Sequence, residues 1–212
     1  MQNLNMALLI LHVTAGYIAL TSGAVVMAMK KGTRIHRKLG RLFYYSMWIL
    51  GLCAIYLAWA KTNSFLLHIG IFVLYQNYAG NNSVVNRSLM PNGLGIFILI
   101  AASVNSGFML ASKQIVLMVF GGISLLLVFN DLRLYYALFQ KKEIRNLAWL
   151  ARHIGMMLGS YIGAFTAFLV VNVQNVKPAW LIWLAPTFVI VPLMQFWTWK
   201  FTKKSNSRYL NN

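Results

Sequence analysis

Only two acidic side chains, Asp131 and Glu143, occur in a chain of 212 residues. That scarcity constrains the fold more than any motif does. A water-facing surface needs charges of both signs interspersed over much of its area, and two acids cannot supply it. Soluble domains are about one-quarter charged. Here the charged share is 10% and the hydrophobic share 59%. The solvent is therefore mostly lipid, and residues 1–212 are expected to form a single membrane domain without a soluble appendage.

A helix that crosses a bilayer needs about 20 apolar residues. Windows of that kind fall at 6–29, 42–60, 64–84, 93–111, 115–138, 147–173 and 178–200, separated by charges and helix breakers. The expected fold class is all-α, a helical transmembrane bundle of about seven helices. The third span is the weakest. Gln76, Asn77, Asn81, Asn82 and Ser83 make its second half polar, so it must face protein or water rather than lipid.

The formal charge is +17. In a soluble protein that excess would point to nucleic acid. Here the basic residues sit in short clusters between apolar runs, as membrane topology requires, and no nucleic-acid partner is expected. Cytoplasmic loops carry the excess of Lys and Arg. With the N-terminus outside and the C-terminus in the cytoplasm, only Lys61, Lys113 and Lys177 of the 19 basic residues lie outside. The others, Arg145 among them, fall inside. A different helix count would scramble this asymmetry. The Asn- and Lys-rich loops suggest a bacterial inner membrane, with anionic lipids on the cytoplasmic side as expected partners, at about 1 kcal/mol per basic residue near the surface. No signal peptide is expected, because the first basic residues, Lys30 and Lys31, follow the first apolar stretch. Cys53 is the single cysteine. It makes no internal disulfide, and without CxxC neither c-type haem nor a thiolate zinc site is expected.

Small residues recur at four-residue spacing in two spans: Ala15, Ala19 and Gly23 in the first, Gly155, Gly159, Gly163 and Ala167 in the sixth. Such stripes let helix backbones approach closely in lipid; the alternative is room for a flat cofactor. Trp180, Trp183, Trp197 and Trp199 fit interfacial anchoring.

Ionisable groups inside a membrane are costly and mark functional sites by default. Depth sorts the four histidines into an outer pair, His12 and His68, and an inner pair, His36 and His153. Both members of the outer pair lie within about 10 Å of the outer boundary. Imidazoles on facing helices at equal depth suit a six-coordinate haem b, and two such pairs would make a transmembrane electron path. The alternative is that each histidine is a hydrogen-bonded polar residue between helices. Asp131 is the one acid within a span and needs a partner or a proton. His36, His153, Arg133 and Arg152 are candidates at similar depth. His36, Asp131 and His153 have the ligand types of a transition-metal site with an open position or of a proton relay. The alternative is a buried Asp–Arg pair that fixes the helices. The basic loop from Lys30 to Arg41 reads chiefly as a topology signal, but Arg37, Gly40 and Arg41 are also candidate contacts for an anionic head group or phosphate.

The pattern His12-x3-Gly16-x2-Ala19-Leu20-x2-Gly23, then Lys31-Gly32-x3-His36-Arg37-x2-Gly40-Arg41, resembles the bacterial membrane proteins grouped as DUF2306. Asp131-Leu132-Arg133 and the stretch from His153 to Asn172 agree with it, whereas Gln76 to Asn92 departs. The resemblance implies a multi-helix membrane fold and no assigned activity. Its matching positions are His12, His36, Arg37, Gly40, Arg41, Asp131, Arg133, His153, Thr166 and Asn172. They favour one inner site over a symmetric two-haem path, with Arg133, Arg152, Thr166 and Asn172 as buried polar partners. The leading expectation is an intramembrane histidine site that binds haem b or a transition metal for redox chemistry. Alternatives are a non-enzymatic subunit, scaffold or lipid-binding protein, and a proton- or ion-coupled transporter using Asp131.

Overall fold

The computed structural model describes residues 2–144, 146–173, 177–178 and 180–209, with side chains from Asn3 to Thr202 within those ranges. Arg145 lies outside the described residues. Among the described residues seven helices follow one another: α1 (Gln2–Ala28), α2 (Arg34–Ala60), α3 (Ser64–Val85), α4 (Gly93–Ala111), α5 (Ile115–Phe139), α6 (Ala148–Asn172) and α7 (Trp180–Tyr209). No strand occurs among the described residues. Six of the helices are long and apolar enough to cross a membrane, which makes this a multi-pass membrane protein; α3 is the exception.

Polar caps start the helices where apolar content alone does not. Thr33 Oγ1 accepts the His36 N–H at 3.1 Å and starts α2. Asn63 and Asn92 do the same for α3 and α4, accepting from Leu66 and Gly95. As a result α2 begins at Arg34, not at 42 where the apolar run begins. Lys, Arg and Leu are good helix formers, so only the segment around Gly32, at φ +78°, turns the chain. The stretch expected as a basic loop is therefore largely the first two turns of α2. Likewise α7 runs past the expected end at 200, to Tyr209.

The exception, α3, sits at the centre. It packs against α2, α4, α5 and α6, while α1 lies against α2 and α6, and α7 against α6. Its polar residues Gln76, Asn77 and Ser83 are buried. Protein rather than lipid surrounds them, as the composition of this span demands.

Close approach of α3 and α6 depends on glycine. A Cβ at Gly159 would strike the Gln76 amide, and one at Gly163 would strike Val73. On the other side, a Cβ at Gly80 would lie 2.9 Å from the Met157 backbone nitrogen. The small-residue stripe of α6 is thus a packing surface. Gly155, in the same stripe, faces only Met194, at 3.9 Å. On α1, Ala15 and Ala19 are buried, and Gly23 packs against Tyr161 and Phe43. Two tryptophans of α7 have partners beyond an interfacial belt. Trp183 meets Phe65 edge-on at 4.7 Å, and the Lys31 ammonium lies 4.6 Å from the Trp197 ring centroid.

Candidate functional site

Asp131, on α5, is 2% exposed. A carboxylate at that depth needs an opposite charge and hydrogen bonds, and it has both. Arg152 of α6 donates through Nε to Oδ1 at 2.8 Å and through Nη2 to Oδ2 at 2.6 Å. Tyr75 of α3 donates its hydroxyl to Oδ2 at 2.8 Å. The remaining guanidinium nitrogen, Nη1, donates to the Ala79 carbonyl at 2.7 Å and to Ser83 Oγ at 2.8 Å. Ser83 in turn donates to the Ala79 carbonyl at 2.7 Å. The network joins three helices and uses its charges internally. Among the candidate partners, Arg152 is the one that pairs. Arg133 is exposed, with its guanidinium 5.7 Å from the Phe129 ring centroid, so it is not a buried partner.

The histidines do not assemble as two ligand pairs. His12 Nδ1 is 3.1 Å from the Leu50 carbonyl oxygen and ties α1 to α2. His68 turns to α4 instead. Its Nδ1 lies 2.7 Å from Asn105 Oδ1, Asn105 Nδ2 donates to the His68 carbonyl at 3.0 Å, and the ring stacks on Phe108. The expected outer pair is thus directed to separate partners. Among the described residues no three His, Cys, Asp or Glu side chains form a metal-holding group, and Asp131 is committed to Arg152 and Tyr75 rather than to His36 and His153.

The inner pair does share a place. At the basic end of the bundle, α1, α2, α3 and α6 line a half-open cavity of about 460 Å³ that both His36 and His153 border. The early start of α2 builds one wall. His36 and Arg37, Gly40 and Arg41, then Tyr44 and Tyr45 recur one turn apart, and all six line the cavity. A Cβ on Gly40 would meet nothing within 4 Å, so the space beside it is open. His153 enters from α6 with Nδ1 2.9 Å from the Gly80 carbonyl oxygen. With a carbonyl as acceptor, Nδ1 carries the proton and Nε2 keeps its lone pair. His36 Nδ1 is buried and has no hydrogen-bond partner. Val26, Met27, Val84, Met157 and Leu158 give an apolar wall, and no acidic residue lines the space.

Thr166 is buried as expected, and its hydroxyl donates to the Trp183 carbonyl of α7 at 3.5 Å. Asn172 is not a buried partner. It is exposed, and its amide donates back to Phe168 of its own helix at 2.8 Å. The cavity residues Tyr44, Tyr45, Asn81 and Tyr161 were not among the candidates. The turn-by-turn repeat from His36 to Tyr45 would have shown the first two, had α2 been started at its threonine cap. No family model, curated protein or solved structure matches the chain.

Proposed function

We propose that the chain is a bacterial inner-membrane protein, N-terminus outside, that binds an anionic amphiphile in the α1–α2–α3–α6 cavity at its cytoplasmic face. One observation carries this: a cavity with an apolar wall and a basic, acid-free rim, lined by His36, whose ring Nδ1 has no hydrogen-bond partner. An amphiphile needs both halves, apolar surface for the tail and charge-assisted donors for the head. The cytoplasmic leaflet supplies anionic lipids, which basic juxtamembrane segments attract. Native mass spectrometry of the delipidated protein, titrated with an anionic lipid, tests the proposal. Binding that weakens in the Arg37→Ala/Arg41→Ala variant supports it. A variant that binds as the parent does sinks it.

A second ligand, haem b, is favoured by a specific arrangement. Imidazoles from α2 and α6 line one cavity, and the Gly80 carbonyl holds His153 Nδ1 as outer-shell acceptors hold ligating histidines. Arg37 and Arg41 would then meet the propionates. An optical spectrum of protein expressed with ample haem decides: a Soret band that shifts on reduction, lost in His36→Ala and His153→Ala, would replace the amphiphile with haem. Proton or ion coupling through Asp131 has less support, because that carboxylate is already paired with Arg152 and bonded by Tyr75.

A further inference from the structure

We infer that the head group selected at this cavity is a phosphate monoester, in preference to a phosphodiester or a zwitterion; the inference rests on the amphiphile site proposed above. The reasoning begins with charge. Arg37 and Arg41 line the cavity, and a guanidinium stays charged at any accessible pH. No carboxylate stands opposite them. Asp131 is bound to Arg152, and Glu143 is exposed in the α5–α6 connection. A head group carrying its own ammonium would bring that cation among cations with no counter-ion, where like charges repel. Zwitterionic lipids are therefore disfavoured by the composition of the rim.

Donor geometry separates monoesters from diesters. A phosphate monoester carries a charge of about −1.5 to −2 at neutral pH and offers three strong acceptor oxygens. A diester carries one negative charge on two such oxygens. The cavity provides donors in excess of what a diester uses. There are two guanidinium groups one turn apart, which favour bidentate contact, and the imidazole of His36. His36 Nδ1 is already stripped of partners. A buried polar atom in that state costs free energy until something bonds to it. A turn of the ring toward the cavity would offer that nitrogen to a third phosphate oxygen. Beside the head site, Val26, Met27 and Val84 offer contact for an acyl or isoprenyl chain.

The experiment uses the full chain in neutral detergent. It is titrated in separate native mass spectrometry runs with phosphatidic acid, phosphatidylglycerol and phosphatidylethanolamine of identical acyl chains. Phosphatidic acid should bind at least about tenfold tighter than phosphatidylglycerol, the worth of one further hydrogen bond to a charged group, and phosphatidylethanolamine should bind weakest. His36→Gln and His36→Leu should each bring the phosphatidic acid affinity toward that of phosphatidylglycerol, with melting temperature checked to confirm folding. Equal affinity for the first two lipids overturns the monoester preference and leaves an anionic amphiphile site standing. No binding of any of the three overturns the site itself. Inorganic phosphate serves as the competitor. If millimolar phosphate leaves the complex intact, the source is a lipid; if it displaces phosphatidic acid fully, the same chemistry belongs to a soluble phosphate compound.

Discussion

Arg152 meets Asp131 fork to fork, with Nε to Oδ1 at 2.8 Å and Nη2 to Oδ2 at 2.6 Å, and the same guanidinium reaches the Ala79 carbonyl with its third nitrogen. One side chain thereby ties α6 to α5 and α3. The pair has its worth only as a pair, since either charge left alone would be buried without compensation.

Arg152→Met or Asp131→Leu alone should therefore cost about 3–5 kcal/mol. The double variant should recover most of that loss, because apolar groups of similar volume replace both charges. Thermal unfolding in detergent measures all three. Additive losses in the double variant would show that the two residues do not act as a unit.

Tyr75→Phe removes one hydrogen bond to the carboxylate without opening a cavity. Its expected cost is about 1.5–3 kcal/mol, the range for bonds to charged groups. The same unfolding assay reads it. A variant as stable as the parent would mean that Arg152 alone satisfies Asp131.

The glycines of α6 should divide sharply under alanine substitution. Gly159→Ala and Gly163→Ala push a methyl group into α3 and should destabilise by about 1–3 kcal/mol. Gly155→Ala meets only Met194 at 3.9 Å, so the helix-propensity gain of up to about 1 kcal/mol should prevail. Melting temperatures of the three variants test the contrast, and a destabilised Gly155→Ala would contradict it.

Cysteine labelling addresses orientation. In a Cys53→Ser background, a membrane-impermeant maleimide added to intact cells should modify Lys113→Cys. It should reach Lys30→Cys only after permeabilisation. The reverse pattern would turn the protein over and move the proposed cavity to the outer face.

Arg37 and Arg41 are exposed at the cavity rim, so replacing either with alanine should change stability by no more than about 0.5 kcal/mol. Lipid binding should weaken all the same. A large loss of stability would give these arginines a structural role and detach them from the ligand.

Most of the architecture was legible because lipid imposes a simple rule on composition. The window 93–111 coincides with α4, and the polar second half of the third span does mark the helix enclosed by protein. Where α2 begins was harder to see, because hydropathy reports where a helix meets lipid and not where its hydrogen bonds start. That misplacement hid the cavity wall, since His36 to Tyr45 form a repeating face only when they are helical. The partner of Asp131 was half legible. Arg133 is two positions along the same helix and so points roughly to the opposite side at 3.6 residues per turn, which excludes it without any coordinates. Choosing Arg152 over the histidines required knowing how α6 is rotated. The directions taken by His12 and His68 likewise depend on helix neighbours that no local pattern encodes.

The position of α3 also has a consequence for how the chain is made. Its polar face is completed by Arg152, whose bond to Ala79 spans 73 residues of sequence. When the ribosome releases α3 to the insertion machinery, α6 and its Arg152 are still to be made. A helix with Gln76, Asn77 and Ser83 on its surface would gain little by partitioning into hydrocarbon at that moment. Insertion of this segment should thus be deferred, held beside the translocon or carried by α2 until the later helices arrive. Nascent chains truncated before residue 148 should leave α3 extractable from the membrane by alkali, while those that include all of α6 should retain it.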